Sequence, residues 1–202
     1  MAPLRNDPNI IITGTPGVGK TTHCQELASR TGLHHLDIND VVKKHNIGEA
    51  SNDPKDPNVK IVDEDRLLDC IENDLEEGGQ IIDWHGCDMF PEKMIDLVCV
   101  LRCDNKILYD RLKARGYGEE KLQENLDVEI MEVLVQEARD SYAEEVVVEL
   151  KSEGTEDVDK NVERIETWIQ DWRKDNGKGK GGEVKAQEEG KKDEDDPMFL
   201  HG

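Results

Sequence analysis

The sequence lacks several features that would assign it to a particular class of protein. It has no run of about 18 consecutive apolar residues, so we expect no membrane-spanning helix and no membrane partner. Residues 1–8 are polar and carry no apolar stretch typical of a secretory signal, so we expect no such leader. The five cysteines include no C-x-x-C pair, which argues against a disulfide framework or a zinc site. These absences favour a reducing cell interior, with all five cysteines as small buried apolar side chains.

Basic residues are scarce relative to acidic ones. The chain has 26 lysines and arginines against 47 aspartates and glutamates, which gives a net charge of −21. Residues 174–202 contain six basic and eight acidic residues, a net of −2, which leaves −19 on residues 1–173. Such a surface repels nucleic acid phosphates and attracts a basic protein. It is equally consistent with a solvated acidic surface that keeps the protein soluble.

Short apolar runs alternate with segments of helical periodicity along the chain. Each run is almost continuously apolar, as is typical of parallel strands buried on both faces. The predicted strands are Asn9–Thr13, Leu33–Asp37, Gln80–Trp84, Leu97–Arg102 and Val146–Leu150. The predicted helices between them are Lys20–Ser29, Asp63–Glu77, Asn105–Ala114 and one long helix, Glu119–Ala143. This alternation predicts an α/β domain over residues 1–173 with a doubly wound parallel sheet.

Three other segments complete the organisation. Apolar residues along one face of Asp157–Trp172 predict a helix that packs back on the domain. Residues 174–202 form a charged tail, predicted to be disordered because its Gly, Lys and Glu residues bury too little surface to offset their ordering entropy. Residues 38–62 are polar and contain prolines, with helical character only around Asp40–His45. An insertion of this length in a compact domain is more often functional than idle.

One motif carries the strongest functional signal. Gly14–Thr21 reads G-T-P-G-V-G-K-T, follows the first strand and opens a helix. A glycine-rich turn lets successive backbone N–H groups converge on phosphate oxygens, and the helix N-terminus adds its free amides. Lys20 supplies a cation for the β- and γ-phosphates, the Thr21 hydroxyl is a Mg²⁺ ligand, and Thr22 donates to the α-phosphate. The motif predicts a site for a nucleoside triphosphate, ATP with Mg²⁺.

A second group of candidates follows the predicted strand Gln80–Trp84. Asp83 ends this buried run, where an acidic residue associated with a nucleotide-bound Mg²⁺ is expected. His85 either positions or deprotonates a water molecule, or is a hydrogen-bonded structural imidazole. Asp88 either serves in the same crevice or begins a turn before Pro91.

Basic residues near the end of the helix Asn105–Ala114 form a third group. Phosphoryl transfer spreads negative charge over the transferring group, so further cations are expected near the phosphates. Arg115 precedes the flexible sequence Gly116-Tyr117-Gly118, which fits a short lid that closes over the phosphates. The alternative is a helix C-terminus stabilised by basic residues.

These motifs together resemble one family of proteins. The sequence G-T-P-G-V-G-K-T-T, the segment D-W-H-G-C-D-M-F-P-E from Asp83 to Glu92 and R-L-K-A-R-G-Y from Arg111 to Tyr117 resemble the adenylate kinase isoenzyme 6 family. Its members are nuclear adenylate kinase-like NTPases of small ribosomal subunit assembly. The resemblance extends over roughly residues 8–172 and includes I-V-D-E-D-R at Ile61–Arg66.

The resemblance implies a P-loop kinase fold with a five-stranded parallel sheet, an AMP-binding region at about residues 37–62 and a short lid at about residues 114–124. Asp83 is then the Mg²⁺-associated acid and His85 the catalytic histidine linked to ATP hydrolysis. The implied substrates and product are ATP, AMP and ADP. The implied ATP-binding residues are Gly17, Gly19, Lys20, Thr21, Thr22 and Arg115.

The resemblance also implies partners and a location. The partners are a basic small-subunit ribosomal protein of the platform and the pre-ribosomal particle, with a role in late cleavage of precursor rRNA. The location is the nucleus and cytoplasm; the lysines of the tail are too diluted by glycine to form a basic import cluster.

Two positions depart from what efficient AMP phosphorylation would suggest. The arginine of the D-G-F-P-R segment found in metabolic adenylate kinases is absent after Asp83, and Lys43 stands where an arginine is expected. A lysine lacks the bidentate fork that clamps a phosphate. Three hypotheses therefore remain open: an ATP:AMP phosphotransferase with ATPase activity, an ATP-switched assembly factor with incidental kinase activity, and a kinase for another small acceptor.

Overall fold

Five parallel strands form the central sheet of the computed structural model, which describes residues 5–50 and 60–176. In spatial order they are β2 (His34–Asp37), β5 (Gln80–Asp83), β1 (Ile10–Thr13), β6 (Leu97–Arg102) and β7 (Val147–Lys151). The three central strands are buried almost throughout, which explains why their sequences are continuous apolar runs. The predicted five-stranded parallel sheet is confirmed.

The strand order changes direction at β1. Ile11 of β1 pairs with Ile82 of β5 on one side and with Val98 of β6 on the other. The chain then proceeds to β2 and β5 on the first side and to β6 and β7 on the second. A crevice opens beyond the carboxyl ends of the strands at such a reversal, and the segment Gly14–Gly19 lies there.

Helices cover both faces of the sheet. Alternate residues of β1 point to opposite faces: Ile10 and Ile12 belong to one core cluster and Ile11 to the other. The first cluster is completed by α1 (Lys20–Thr31), α4 (Asn105–Ala114), α5 (Glu119–Ile130) and α7 (Thr155–Asn176). The second is completed by α2 (Ile38–His45), α3 (Glu64–Glu77) and α6 (Val133–Ser141).

Aspartates fix the start of three helices. The side chain of Asp37 accepts a hydrogen bond from the Asn39 amide at 2.8 Å at the start of α2. Asp63 caps α3 and Asp104 caps α4 in the same manner. Each cap satisfies an amide that the first helical turn leaves unpaired, so the local sequence determines where these helices begin.

The predicted long helix Glu119–Ala143 is wrong. The chain forms two helices, α5 and α6, and Glu132 between them has a φ of 57°, a left-handed conformation that interrupts a right-handed helix. Ile130 and Val133, which continue the apolar spacing of the predicted helix, are consequently exposed. The buried residue at this point is Glu129, whose carboxylate accepts hydrogen bonds from the Thr15 hydroxyl and the Cys103 amide. These tertiary contacts outweigh the helical periodicity.

The insertion at residues 38–62 contains more structure than predicted. The helix α2 spans Ile38–His45, and the two-residue strands β3 (Glu49–Ala50) and β4 (Lys60–Ile61) pair antiparallel. Residues 51–59 between them lie outside the described part of the chain.

The C-terminal helix α7 confirms the packing predicted for Asp157–Trp172. Its residues Val162, Ile165 and Ile169 are buried in the first core cluster. It continues to Asn176, across the predicted boundary at residue 174. The predicted disorder of the tail beyond this point concerns residues outside those described.

The cysteines follow the prediction except at one position. Cys24, Cys87, Cys99 and Cys103 are free and buried, whereas Cys70 is exposed on the outer face of α3. Among the described residues, no helix combines the length and apolarity needed to cross a membrane.

Candidate nucleotide site

The segment Gly14–Gly19 forms a tight loop between β1 and α1. The φ angles of Gly17 and Gly19 are 96° and 102°, which side chains with a Cβ rarely adopt. A Cβ on Gly14 would lie 2.7 Å from the carbonyl oxygen of Leu101 on the neighbouring strand. The predicted loop therefore needs glycine for its backbone angles and for its close approach to β6.

Lys20 begins α1 and folds back over this loop. Its Nζ donates to the carbonyl oxygens of Gly14 at 2.6 Å and Thr15 at 3.3 Å. Desolvation by burial, opposed by the carboxylate of Asp83 and reinforced by Arg115, lowers the pKa of Lys20 to about 8. A cation held this way is poorly solvated, so anionic ligand oxygens can replace the water that it lacks.

A cavity of about 520 Å³ opens above the loop. Residues from the loop and the start of α1, from α2, from the segment after β5 and from the turn after α4 form its wall. The side chains and backbone that line it are Pro16, Gly17, Gly19, Lys20, Thr21, Thr22, Asn39, Trp84, His85, Arg115, Tyr117 and Lys121. The structure thus brings together every predicted ATP-binding residue, and their roles as ligands stay predictions.

The arginines at the end of α4 and in the turn that follows divide into two kinds. Arg111 is structural: its guanidinium donates to the carbonyl oxygens of Gly17 at 3.3 Å, Ser152 at 3.0 Å and Glu153 at 2.7 Å. It therefore supports the phosphate loop from behind. Arg115 is exposed in the turn between α4 and α5 and faces the cavity. The position of Arg115 on the cavity wall fits the lid alternative, whereas Arg111 binds carbonyl groups of other segments and not those of the last turn of α4.

His85 lies at the cavity wall directly after Trp84. Its backbone is fixed by Thr13, whose hydroxyl donates to the His85 carbonyl oxygen at 3.0 Å. The rings of Trp84 and His85 are 4.1 Å apart. Desolvation by neighbouring atoms, then repulsion from the Lys20 ammonium, lower the pKa of His85 below its ordinary value. The imidazole is therefore neutral at physiological pH and able to accept a proton or a hydrogen bond.

Asp83 is placed differently from the other candidates. Its carboxylate is almost fully buried and lies below the cavity rather than on its wall. Among the described residues its hydrogen-bond partner is His35, whose Nε2 lies 3.4 Å from Oδ2. A carboxylate can accept about four hydrogen bonds, so Asp83 keeps acceptor capacity unused. The remaining lone pairs of the carboxylate are available to a cation or to water.

The donor set fits Mg²⁺. The Thr21 hydroxyl and the Asp83 carboxylate supply oxygen atoms, which Mg²⁺ prefers, and the cavity leaves room for water and phosphate oxygens. Thr21 and Asp83 are the residues that would hold the ion, with Asp83 acting directly or through water.

Sequence comparison assigns the chain to a family. Residues 10–132 match a family model described as an AAA domain. An adenylate kinase isoenzyme 6 homologue of Candida albicans is 51% identical over 176 residues, covering 82% of this chain and 70% of that protein. The Saccharomyces cerevisiae homologue is 44% identical over 197 residues, covering 97% of this chain and 99% of that protein. The chain belongs to the adenylate kinase isoenzyme 6 family. It is a P-loop protein related to nucleotide kinases.

Solved structures add evidence on the fold alone. Shikimate kinase from Bacteroides thetaiotaomicron aligns with a TM-score of 0.54 and 16% identity, covering 81% of this chain and 98% of that one. Shikimate kinase from Acinetobacter baumannii also gives a TM-score of 0.54, with 18% identity and coverage of 81% and 93%. The predicted P-loop kinase architecture of this adenylate kinase isoenzyme 6 family member is confirmed.

One supporting residue of the site escaped the sequence analysis. Glu129, near the end of α5, accepts hydrogen bonds from the Thr15 hydroxyl at 2.6 Å, Arg102 Nε at 2.9 Å and the Cys103 amide at 3.1 Å. It joins the phosphate loop to α5, whose first turns belong to the predicted lid segment 114–124. The available signal was an acid spaced with Leu122 and Leu126 on the buried face of a predicted helix. Periodicity alone does not show which partner such an acid has.

We expect Glu129→Ala to lower the free energy of unfolding by about 3 kcal/mol, because it leaves a partly buried guanidinium and two other donors without their acceptor. Chemical denaturation measures this loss. The matched control is Glu132→Ala, which removes an exposed partner of the same Arg102 and should cost less than about 1 kcal/mol. Equal losses in the two variants would contradict the supporting role of Glu129.

The pKa of Lys20 predicts how nucleotide affinity depends on pH in this family member. Bound phosphates favour the charged ammonium, so binding raises the pKa of Lys20 above the value of about 8 in the free protein. Above that pH binding must first take up a proton, and the dissociation constant of Mg-ATP should rise by about tenfold per pH unit. Titration calorimetry from about pH 7 to pH 9.5 measures this. Lys20→Arg, which stays charged, should remove the dependence; a flat wild-type profile would contradict the assignment.

Proposed function

We propose that this protein is a Mg²⁺-dependent ATP:AMP phosphotransferase that also hydrolyses ATP. The observation that carries the proposal is the single cavity in which the phosphate loop, Lys20, Arg115 and His85 meet, above the buried carboxylate of Asp83. The names of its relatives, adenylate kinase isoenzyme 6 homologues, support the same reaction.

The residues of the chain divide the work as follows. The amides of the phosphate loop and of the first turn of α1 bind the triphosphate, and Lys20 and Arg115 stabilise the charge that develops on the transferring group. Thr21 and Asp83 would hold Mg²⁺, which when bound supplies further positive charge at the phosphate oxygens. His85, neutral and at the cavity wall, orients a water molecule and accepts its proton during hydrolysis.

The residues predicted to bind AMP support the proposal less strongly than the residues predicted to bind ATP. Among the described residues of the predicted AMP-binding region, Asn39 is the one that lines the cavity. Lys43, at the position where an arginine was expected, is exposed and pairs with Asp40 at 2.9 Å on the surface of α2. A phosphate clamp from Lys43 would therefore require this region to move. The described residues favour ATP hydrolysis at least as much as transfer to AMP.

A second function rests on the charge of the surface. With −19 on residues 1–173, the domain is suited to bind a basic protein. We propose that an ATP cycle at the cavity controls the binding of a basic small-subunit ribosomal protein of the platform, within the pre-ribosomal particle and in support of precursor-rRNA processing. Such a protein would work in the nucleus and cytoplasm. A kinase acting on another small acceptor is the remaining alternative.

One set of rate measurements separates these functions. ATP consumption is measured with and without AMP, and with and without the purified basic platform protein. ADP formed in proportion to AMP supports the phosphotransferase, and phosphate release stimulated by the ribosomal protein supports the switched assembly factor. Slow ATP hydrolysis that neither AMP nor the platform protein changes would support the remaining alternative, a kinase that acts on another small acceptor.

A further inference from the structure

Three side chains of different chemistry meet below the nucleotide cavity. They are Cys24 of α1, His35 of β2 and Asp83 of β5. Their potential ligand atoms, one sulfur, one ring nitrogen and one carboxylate oxygen, all lie within 4.8 Å of one another. Among the described residues this is the one group of three or more such side chains so close together.

The fold explains why they meet. His35 is the register partner of Ile81, and Asp83 lies two residues further along the same strand, so both side chains point to the face of the sheet covered by α1. Cys24 lies one helical turn after Lys20, and it packs with Ile81 in the same core cluster. The three residues belong to separate elements, and only the parallel register brings them together.

Two members of the group, Cys24 and Asp83, have few hydrogen-bond partners elsewhere among the described residues. Cys24 is fully buried, and no hydrogen bond of its side chain is seen within the described residues. Asp83 is buried, and His35 is its one hydrogen-bond partner in the described part of the chain. His35 is 19% exposed and so connects the group to the outside. Burial raises the pKa of the Cys24 thiol, which therefore carries its proton when no metal is bound.

We propose that Cys24, His35 and Asp83 form a binding site for a thiophilic divalent metal ion, Zn²⁺ in the first instance. Sulfur and imidazole nitrogen are ligands that Zn²⁺ accepts and Mg²⁺ does not, so the site is chemically distinct from the Mg²⁺ site. Three protein ligands with water in the fourth position give a tetrahedral ion. The Cys24 proton passes to solvent when the sulfur binds the metal.

Geometry and access are compatible with this assignment. A tetrahedral Zn²⁺ needs ligand atoms roughly 3.5 Å apart, so the group closes by movements of about 1 Å, within the range of side-chain rotation. His35 also lines a second cavity of about 410 Å³ on the edge of the sheet. Besides one cation, Lys44, the lining of this opening offers groups that bind metal ions: His34, His45, Asp37, Asp40, Asp74 and the Cys70 thiol. It supplies the route of entry.

The consequence for turnover rests on the proposed function. Asp83 cannot serve both ions, so Zn²⁺ at Cys24 and His35 removes the carboxylate from the Mg²⁺ site and inhibits ATP turnover. Raising the Mg²⁺ concentration should therefore weaken the inhibition by Zn²⁺, and a chelator should reverse it.

Cobalt provides the direct test, without nucleotide. Co²⁺ is added to the full-length protein, and a thiolate-to-cobalt charge-transfer band is expected in the wild type. The band should disappear in Cys24→Ser and Cys24→Ala, with at least about 100-fold weaker Zn²⁺ competition, and persist in Cys70→Ser, which removes the exposed cysteine. Circular dichroism establishes that each variant is folded. No band in the wild type, a band that survives both Cys24 variants, or a band lost in Cys70→Ser would overturn the site, the last because Cys70 lines the same cavity as His35.

Inhibition is measured separately. Zn²⁺ should inhibit ATP turnover by the wild type and by Cys70→Ser but not by Cys24→Ala. Because the cobalt band needs no catalysis, an inactive protein with an intact band would overturn the proposed function and leave the metal site standing. An active protein without the band would overturn the metal site and leave the proposed function standing.

Discussion

Lys20→Ala is expected to lower ATP turnover at least about 1,000-fold and to leave the fold intact. The lost ammonium is the cation closest to the phosphate loop, held 2.6 Å from the Gly14 carbonyl oxygen. Stability should change little, because burial already disfavours the charged form of Lys20, as its pKa of about 8 shows. Single-turnover kinetics measures ATP turnover, calorimetry measures the affinity for Mg-ATP, and thermal unfolding measures stability.

The control for this variant is Lys160→Ala, which removes an exposed lysine of α7 far along the chain from the loop. It should match the wild type in all three measurements. Unchanged Mg-ATP affinity and turnover in Lys20→Ala would show that the cavity above the loop is not the nucleotide site. A fall in turnover accompanied by unfolding would instead assign Lys20 a structural role.

His85→Ala is expected to lower ATP hydrolysis by roughly 10²- to 10⁴-fold and to affect transfer to AMP much less. In hydrolysis the nucleophile is water, which a neutral imidazole at the cavity wall can orient and deprotonate. In transfer the acceptor is itself a bound molecule and needs less positioning. Asp83→Ala should damage both reactions, because the Mg²⁺ site serves both. The measurement is a pair of rates for each variant, with AMP and with water alone as acceptor.

His85→Gln refines the result. Glutamine keeps a hydrogen-bonding side chain but has no group that titrates near neutral pH. Recovery of hydrolysis in this variant would assign His85 to positioning, and continued loss would assign it to proton transfer. If His85→Ala lowers both rates by the same factor, the histidine organises the site in general and its hydrolytic role is wrong.

The zinc proposal shows the limit of cysteine spacing as evidence. The absence of a C-x-x-C pair argued against a zinc site, and the argument holds for sites whose ligands lie close in sequence. Cys24, His35 and Asp83 come from three elements, and no spacing rule connects them. Only the register of β2 on β5 and the packing of α1 across them place the ligand atoms together.

Local sequence determined much of this protein. Continuous apolar runs located the central strands β5, β1 and β6, because a strand buried on both faces has little room for polar side chains. The edge strands β2 and β7 were located as well, although only Leu36 and Leu150 in them are buried. The glycines and Lys20 of the phosphate loop were identified because few other residues permit that backbone and that chemistry. The predicted starts of α3 and α4 agree with the structure to within one residue, and Asp63 and Asp104 fix them there because a cap acts only on amides of the next few residues.

Tertiary structure decided the rest. The break at Glu132 and the burial of Glu129 depend on Thr15 and Arg102, which are distant in sequence, so the periodicity of residues 119–143 gave one helix where the chain forms two. Arg111 and Arg115 look alike in sequence, yet one supports the loop and the other faces the cavity, since helix direction and neighbouring carbonyl groups decide it. Composition and periodicity reflect the preferences of each residue and its near neighbours in sequence. The position of a buried charge depends instead on hydrogen-bond partners that the folded chain brings from distant segments.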